Sequence, residues 1–258
     1  MRAASITLAA AAVCSLAAPA QAELRDALPR FEDPVCPGVI GLQVEPAELL
    51  VGRIRENAKA LDRSLASPEN CEPNLLVAFV DSGRDVLQQM ARDESQGFGD
   101  MSPIERNRLL AQTGPVHVLS QVVTRTRDGM PLYGQEDLSS PPQSVTAAAH
   151  SKLYSASRRD IVHVLVLFDR GAISGLTVNQ LADYATVAAF VHEQPGTRAR
   201  PDASILDLFD ARASGRPSGL TAFDQALLGS LYQGLPNING TVRLAEIEHA
   251  TGRALDVR

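Results

Sequence analysis

The chain has 258 residues, a formal net charge of -6, 45% hydrophobic residues and no tryptophan. Such acidity argues against nucleic acid or an anionic membrane as the main partner, because both favour a basic face. Without tryptophan, the strongest stacking platform for a sugar is also missing.

Residues 1–22 read as a signal peptide. Arg2 supplies the charged start, Ile6 to Leu16 the apolar run, and Ala20-Gln21-Ala22 the small-residue cleavage site. The mature product is then a periplasmic or secreted protein starting at Glu23, expected to form one globular domain over residues 23–258. No later stretch approaches the roughly 20 apolar residues of a spanning helix, so membrane insertion is not expected. Two cysteines remain after export, Cys36 and Cys71. In an oxidising compartment the simplest reading is a disulfide, which would tie off a subregion over 36–71. A zinc site would need two further soft ligands, and none is spaced for it, so no metal or other cofactor is expected.

In chain order, Glu23 to Val35 is a polar lead and Val39 to Val44 a short strand candidate. Pro46 sits well in a first helical turn, with Leu49, Leu50, Ile54, Leu61 and Leu65 at helical spacing. Asn74 to Asp81 is a buried-strand candidate followed by a helix to Met90. Ser102, with Pro103 and Glu105 behind it, predicts a capped helix to about Gln112. Val116 to Arg127 alternates imperfectly and reads as a strand near an edge. Met130 to Arg159 is a long loop. Ile161 to Phe168 is an apolar run with a single histidine, His163, which predicts a strand buried on both faces with the imidazole inside it. Thr177 then caps a helix with Val178, Leu181, Ala185 and Ala188 on its apolar face, and Thr221 caps another over 222–233. A last amphipathic segment covers 241–251. The fold class is therefore α/β or α+β, a small twisted sheet with strands near 74–81, 116–126 and 161–168 packed by helices.

The familiar chemical motifs are missing. There is no G-x-S-x-G, no S-x-x-K and no phosphate-cradling G-x-x-x-x-G-K. His117, His150, His163, His192 and His249 are scattered, and the dipeptide His192-Glu193 runs into Pro195, which breaks the helix that an H-E-x-x-H pair requires.

A buried strand followed by a short loop and a helix with an apolar back face is the layout on which zincin metallopeptidases carry that motif. The matching window here places Asn179 and Asp183 at the ligand positions and Gln180 at the base. Downstream, Ser204-Ile205, Leu208-Phe209, Leu220-Thr221, Phe223-Asp224, Leu227-Leu228 and Leu231-Tyr232 are similar to the tail of an uncharacterised family of secreted bacterial zincin-like proteins. The resemblance implies a zincin-like fold whose zinc site has been replaced, since Gln180 cannot act as a base and an amide at 179 is a weak ligand. Read without it, the same three residues are polar positions on the outer face of an amphipathic helix.

The expected function is that of an exported non-catalytic protein, a pseudo-peptidase that binds a peptide or an envelope partner by strand addition. One alternative is a hydrolase using a carboxylate pair from Asp81, Glu136, Asp160, Asp169 or Asp183. Another is a purely structural periplasmic protein.

Overall fold

A computed structural model describes residues 26–93, 98, 101–132, 151–192, 204–210 and 215–256. Its centre is a four-stranded sheet in the order β1-β2-β4-β3, formed by β1 (Pro37–Ile40), β2 (Leu75–Val80), β3 (Val116–Thr126) and β4 (Ser157–Asp169). The first three in that order through β4 run parallel, and β3 lies antiparallel to β4 on the edge. The signal peptide 1–22, Glu136, His150 and most of the 130–159 loop lie outside the described residues.

Two helical layers cover the sheet because β4 alternates apolar residues to both sides. Val164, Val166 and Phe168 point to the larger core, which they share with α1 (Val44–Ala60), α4 (Val178–Phe190), α5 (Ala222–Tyr232) and Ile247 of α6 (Gly240–Asp256). Leu165 and Leu167 point the other way, to Leu87 of α2 (Gly83–Arg92) and Leu109 of α3 (Pro103–Leu110). Helix starts follow the cap chemistry of the sequence. Ser102, Thr177 and Thr221 each accept from the third helical N–H, and Glu105, Gln180 and Asp224 close the reciprocal capping boxes.

Several boundaries differ from the sequence expectation for visible reasons. β1 ends at Ile40 because Gly41 turns at φ +85°, where a Cβ would sit 2.3 Å from the Phe79 carbonyl oxygen. Helix α1 stops at Ala60, and the chain leaves it through Asp62 at φ 54° so that Leu65 can pair with Val35. β4 starts four residues earlier than its apolar run, since Arg158 and Asp160 are committed to each other and to Arg125 across the ladder. The polar lead before Val35 is also part of the core. Phe31 and Val35 are fully buried, and Arg30 exchanges backbone hydrogen bonds with Arg159 and Ile161 beside β4, below the point where β2 begins.

His163 corrects the expectation of a buried imidazole. It is exposed at an irregularity where Gln121 pairs with His163 and Val122 with Ile161, which leaves Val162 as the extra residue of a bulge. The buried histidine is His117 instead.

Cys36 and Cys71 are bridged, with Cα atoms 6.1 Å apart and a sequence separation of 35. The bridge fastens the entry of β1 to the loop that leads into β2. Replacing the pair by Cys36→Ala and Cys71→Ser should lower the unfolding free energy by about 2–4 kcal/mol through the freed loop of the unfolded chain, read as a lower midpoint in urea denaturation of the oxidised protein against the variant.

Candidate functional site

The three residues at the zincin-like positions do not converge. Asn179 is exposed on the first turn of α4, whereas Gln180 and Asp183 are buried. Gln180 spends its amide on structure: Oε1 accepts from the Thr177 N–H at 2.9 Å and Nε2 donates to the Pro217 carbonyl at 2.6 Å. Asp183 turns toward α1. Its Oδ1 accepts from Arg53 Nε at 2.8 Å and Asn57 Nδ2 at 2.7 Å, and its Oδ2 from Arg53 Nη2 at 3.1 Å and the Leu220 N–H at 3.0 Å. A carboxylate offers about four acceptor positions, and here all are taken. The hydrogen bond from Asp183 is the main reason that the Arg53 guanidinium is held above its ordinary pKa. Gly219 completes the fit, because a Cβ there would lie 2.8 Å from Asp183 Oδ2. These residues therefore do not fit a metal: one faces water, one caps the helix and one is saturated by protein donors.

The other described carboxylates stand at the two ends of the sheet. Asp160 and Asp169 stand at opposite ends of β4, about 30 Å apart at the rise of a strand. Asp160 is fully buried, and its Oδ2 accepts from Arg125 Nη1 at 3.0 Å and from Arg158 Nε and Nη2 at 3.1 and 2.9 Å. Burial pushes its pKa up against the pull of those arginines. Asp169 Oδ1 accepts the Gly83 N–H at 2.6 Å at the start of α2. Asp81 extends into solvent beside Arg170. Asp81 follows Val80, which pairs with Asp169, so these two are neighbours at one end of the sheet, with Asp81 turned to Arg170 and Asp169 to the Gly83 N–H.

The described histidines are equally separate. His117 lies in the α2 layer, where a Cβ on Gly83 would be 2.6 Å from its Cδ2, and its Nδ1 has no hydrogen-bond partner among the described residues. His163 stands at the bulge, and His249 is exposed on α6.

The outer edge of β3 is different, because there backbone groups are left over. Gln112 presents its side-chain amide to Val118 like an extra strand residue: Oε1 accepts the Val118 N–H at 2.9 Å and Nε2 donates to the Val118 carbonyl at 3.0 Å. At the far end the chain turns back, with the Thr126 N–H donating to the Met130 carbonyl at 2.9 Å and Arg125 bridging antiparallel to Pro131. Since Val118 and Thr126 both direct their backbone groups outward and the bulge belongs to β4, the residues of the same parity between them, Ser120, Val122 and Thr124, also do so. The bridge of Arg125 to Pro131 sets Leu132 opposite Thr124, so Ser120 and Val122 are the outward residues whose N–H and C=O groups meet no partner among the described residues. The sequence predicted an edge strand here, near 116–126, and β3 runs over Val116–Thr126. Gln112 carried no periodic signal, as an amide pairing with backbone six residues away has none.

A scan against family models, a search of curated proteins and a search of solved structures each found no match.

Truncation separates the roles within α4. Asp183→Ala strands Arg53, Asn57 and the Leu220 N–H and should destabilise the fold by about 3 kcal/mol, whereas Asn179→Ala should move the urea midpoint hardly at all. His117 makes stability pH-dependent. Burial lowers its pKa, with Asp169 opposing and Arg84 assisting. The unfolded chain therefore takes up a proton that the fold refuses: stability is full above about pH 6.5 and falls as pH drops below it, by about 1.4 kcal/mol for each pH unit until the folded pKa is reached. Denaturation curves at pH 8 and pH 5.5 should differ less for His117→Leu than for the wild type.

Proposed function

We propose that this is an exported, non-catalytic protein that captures an extended peptide by strand addition on the outer edge of β3. The observation that carries the reading is the pair of outward residues uncommitted among the described residues, Ser120 and Val122, closed at one end by Gln112 and at the other by the return of the chain over Met130 to Leu132. An edge with free N–H and C=O groups is the element that peptide-binding domains use for main-chain recognition. The bounded length favours a short segment over a second whole strand, since both flanks of the gap are already filled.

Export is supported by the Ala20-Gln21-Ala22 cleavage site and by the Cys36–Cys71 bridge, which suits an oxidising compartment. A zincin-like ancestry fits the same picture. The unit β4–α4 keeps the layout of strand, short loop and helix, while the positions at which metal chemistry would stand serve capping and packing. The peptide-binding edge then lies on the strand next to that unit.

Val122→Pro tests the reading cleanly. Proline on an edge strand with its nitrogen turned outward removes one outward donor and leaves the ladder to β4 in place. In NMR titration with an acetylated, amidated pentapeptide of alternating Val and Thr, the amides of Ser120 and Val122 should shift. The variant should keep its fold by circular dichroism and bind at least about tenfold more weakly, the loss of one or two main-chain bonds with their geometry. Unchanged binding by Val122→Pro, or shifts confined to another surface, would refute the proposal.

A further inference from the structure

The clamp that closes the β3 edge at Val118 is tied to a buried histidine one residue away. His117 lies opposite Leu167 on the face of the sheet that α2 covers. Its imidazole is 1% exposed, and Nδ1 has no hydrogen-bond partner among the described residues. The first turn of α2 is its cover: a Cβ on Gly83 would meet His117 Cδ2 at 2.6 Å, Leu167 Cβ at 3.2 Å and Asp169 Oδ1 at 3.3 Å. The lack of a side chain at 83 lets the helix backbone lie directly on the ring.

Two bonds hold that turn down. The Gly83 N–H donates to Asp169 Oδ1 at 2.6 Å, and Arg84 Nη2 donates to the Gln112 carbonyl at 2.9 Å. Gln112 is the residue whose amide covers both backbone groups of Val118. Its own N–H donates to the Leu109 carbonyl, so Leu109 and Arg84 together fix the clamp from behind. The residue that covers the imidazole and the residue that holds the clamp are therefore consecutive. Lifting Gly83 carries Arg84 away from Gln112.

A neutral imidazole suits this place and an imidazolium does not. Burial opposes a proton on His117 most; of the charged groups that act on it, Asp169 on β4 favours the proton and Arg84 on α2 opposes it. In water an imidazole takes up a proton near pH 6.5. Acid therefore favours any arrangement in which His117 reaches water or bonds to Asp169. The first moves Gly83 aside and the second draws Asp169 away from the Gly83 N–H, so both break the bond that starts α2.

Resting on the strand-addition reading, we infer that the fold carries an acid-opened extension of the β3 edge: protonation of His117 releases the first turn of α2, Arg84 lets go of Gln112, and the outward N–H and C=O of Val118 join those of Ser120 and Val122. A peptide then meets two outward residues at neutral pH and three in acid. The gain is at the end of the gap opposite Leu132, where the return of the chain stays in place.

Native-state hydrogen exchange tests the switch, because Val118 directs its N–H outward to Gln112 while Leu119 pairs with Leu165 of β4. Between pH 7.5 and 5.5, after correction for the intrinsic pH dependence, protection of the Val118 amide should fall about five- to tenfold, as for an opening coupled to one proton taken up near pH 6.5. Its exchange should be insensitive to urea below the unfolding transition, since a local opening exposes little surface, whereas exchange of Leu119 should accelerate with urea. His117→Leu should erase the fall, and Arg84→Gln should lower Val118 protection already at pH 7.5. The capped pentapeptide of alternating Val and Thr should bind the wild type about fivefold more tightly at pH 5.5 than at pH 7.5 through the added outward residue, and should bind His117→Leu equally at both. Val118 exchange as urea-sensitive as that of Leu119, or a fall that persists in His117→Leu, would overturn the switch whatever the peptide does. A urea-insensitive fall at Val118 with no peptide shifts at Ser120 and Val122 at either pH would leave the switch standing and overturn the edge reading.

Discussion

The structure depends on a carboxylate that had to be taken out of water. Asp183 lies in the apolar interface between α1 and α4, 1% exposed, where an unpaired charge would cost several kcal/mol. The fold meets that cost with four donors drawn from two separate stretches: Arg53 and Asn57 from α1, and the Leu220 N–H from the turn before α5. Each stretch is thereby fixed relative to α4 by direction as well as by contact, which apolar packing alone does not supply. Asn57 extends the network to Thr186 one turn on, and the Thr186 hydroxyl returns to the Ala182 carbonyl. A pair of helices that could slide against each other is held in one register.

The same carboxylate explains what the sequence could and could not reveal. Strand and helix positions were legible because they rest on local rules: apolar runs for β2 and β4, cap chemistry at Ser102, Thr177 and Thr221. The partners of Asp183 lie 126, 130 and 37 residues away, and no spacing rule reaches across them. A polar residue on an otherwise apolar helix reads as surface until its donors are known. Asn179 is surface, and Gln180 and Asp183 are not. The first four residues of β4 were hidden for a related reason. Ser157 to Asp160 is polar because it lies where arginines and carboxylates from two strands meet, so its pattern resembled loop. His163 is exposed where a buried imidazole was expected because the bulge at Val162 turns it outward, which sequence alternation cannot foresee.

An unpaired sheet edge is a hazard for any protein that must remain soluble, and natural edges are blunted by bulges, charges or cover. This one is blunted at its ends. Gln112 imitates a strand residue at Val118, and the return of the chain at Met130 closes Thr126. β3 is held to its place from within by Leu119, which joins the α2 and α3 layer, and by Val116, Val118 and Val122, which lean on the larger core. The strand is thus anchored on both faces and at both ends, and a rigid edge of that kind loses little entropy when a further strand is added to it.

Arginine shows why charge counts say so little about a site. The chain is acidic overall, yet its arginines do three different things within a small region. Arg53 neutralises a buried carboxylate and could not be replaced by a residue without a fork of donors. Arg125 and Arg158 share Asp160, leaving its second oxygen without a partner, so that this knot is closed to an outside carboxylate by charge and by burial. Arg159, next to Arg158 in sequence and on the opposite face, has no hydrogen bond or ion pair to a carboxylate among the described residues. Its position is set by Thr124 across the ladder and by the arm residue Arg30, whose N–H donates to its carbonyl.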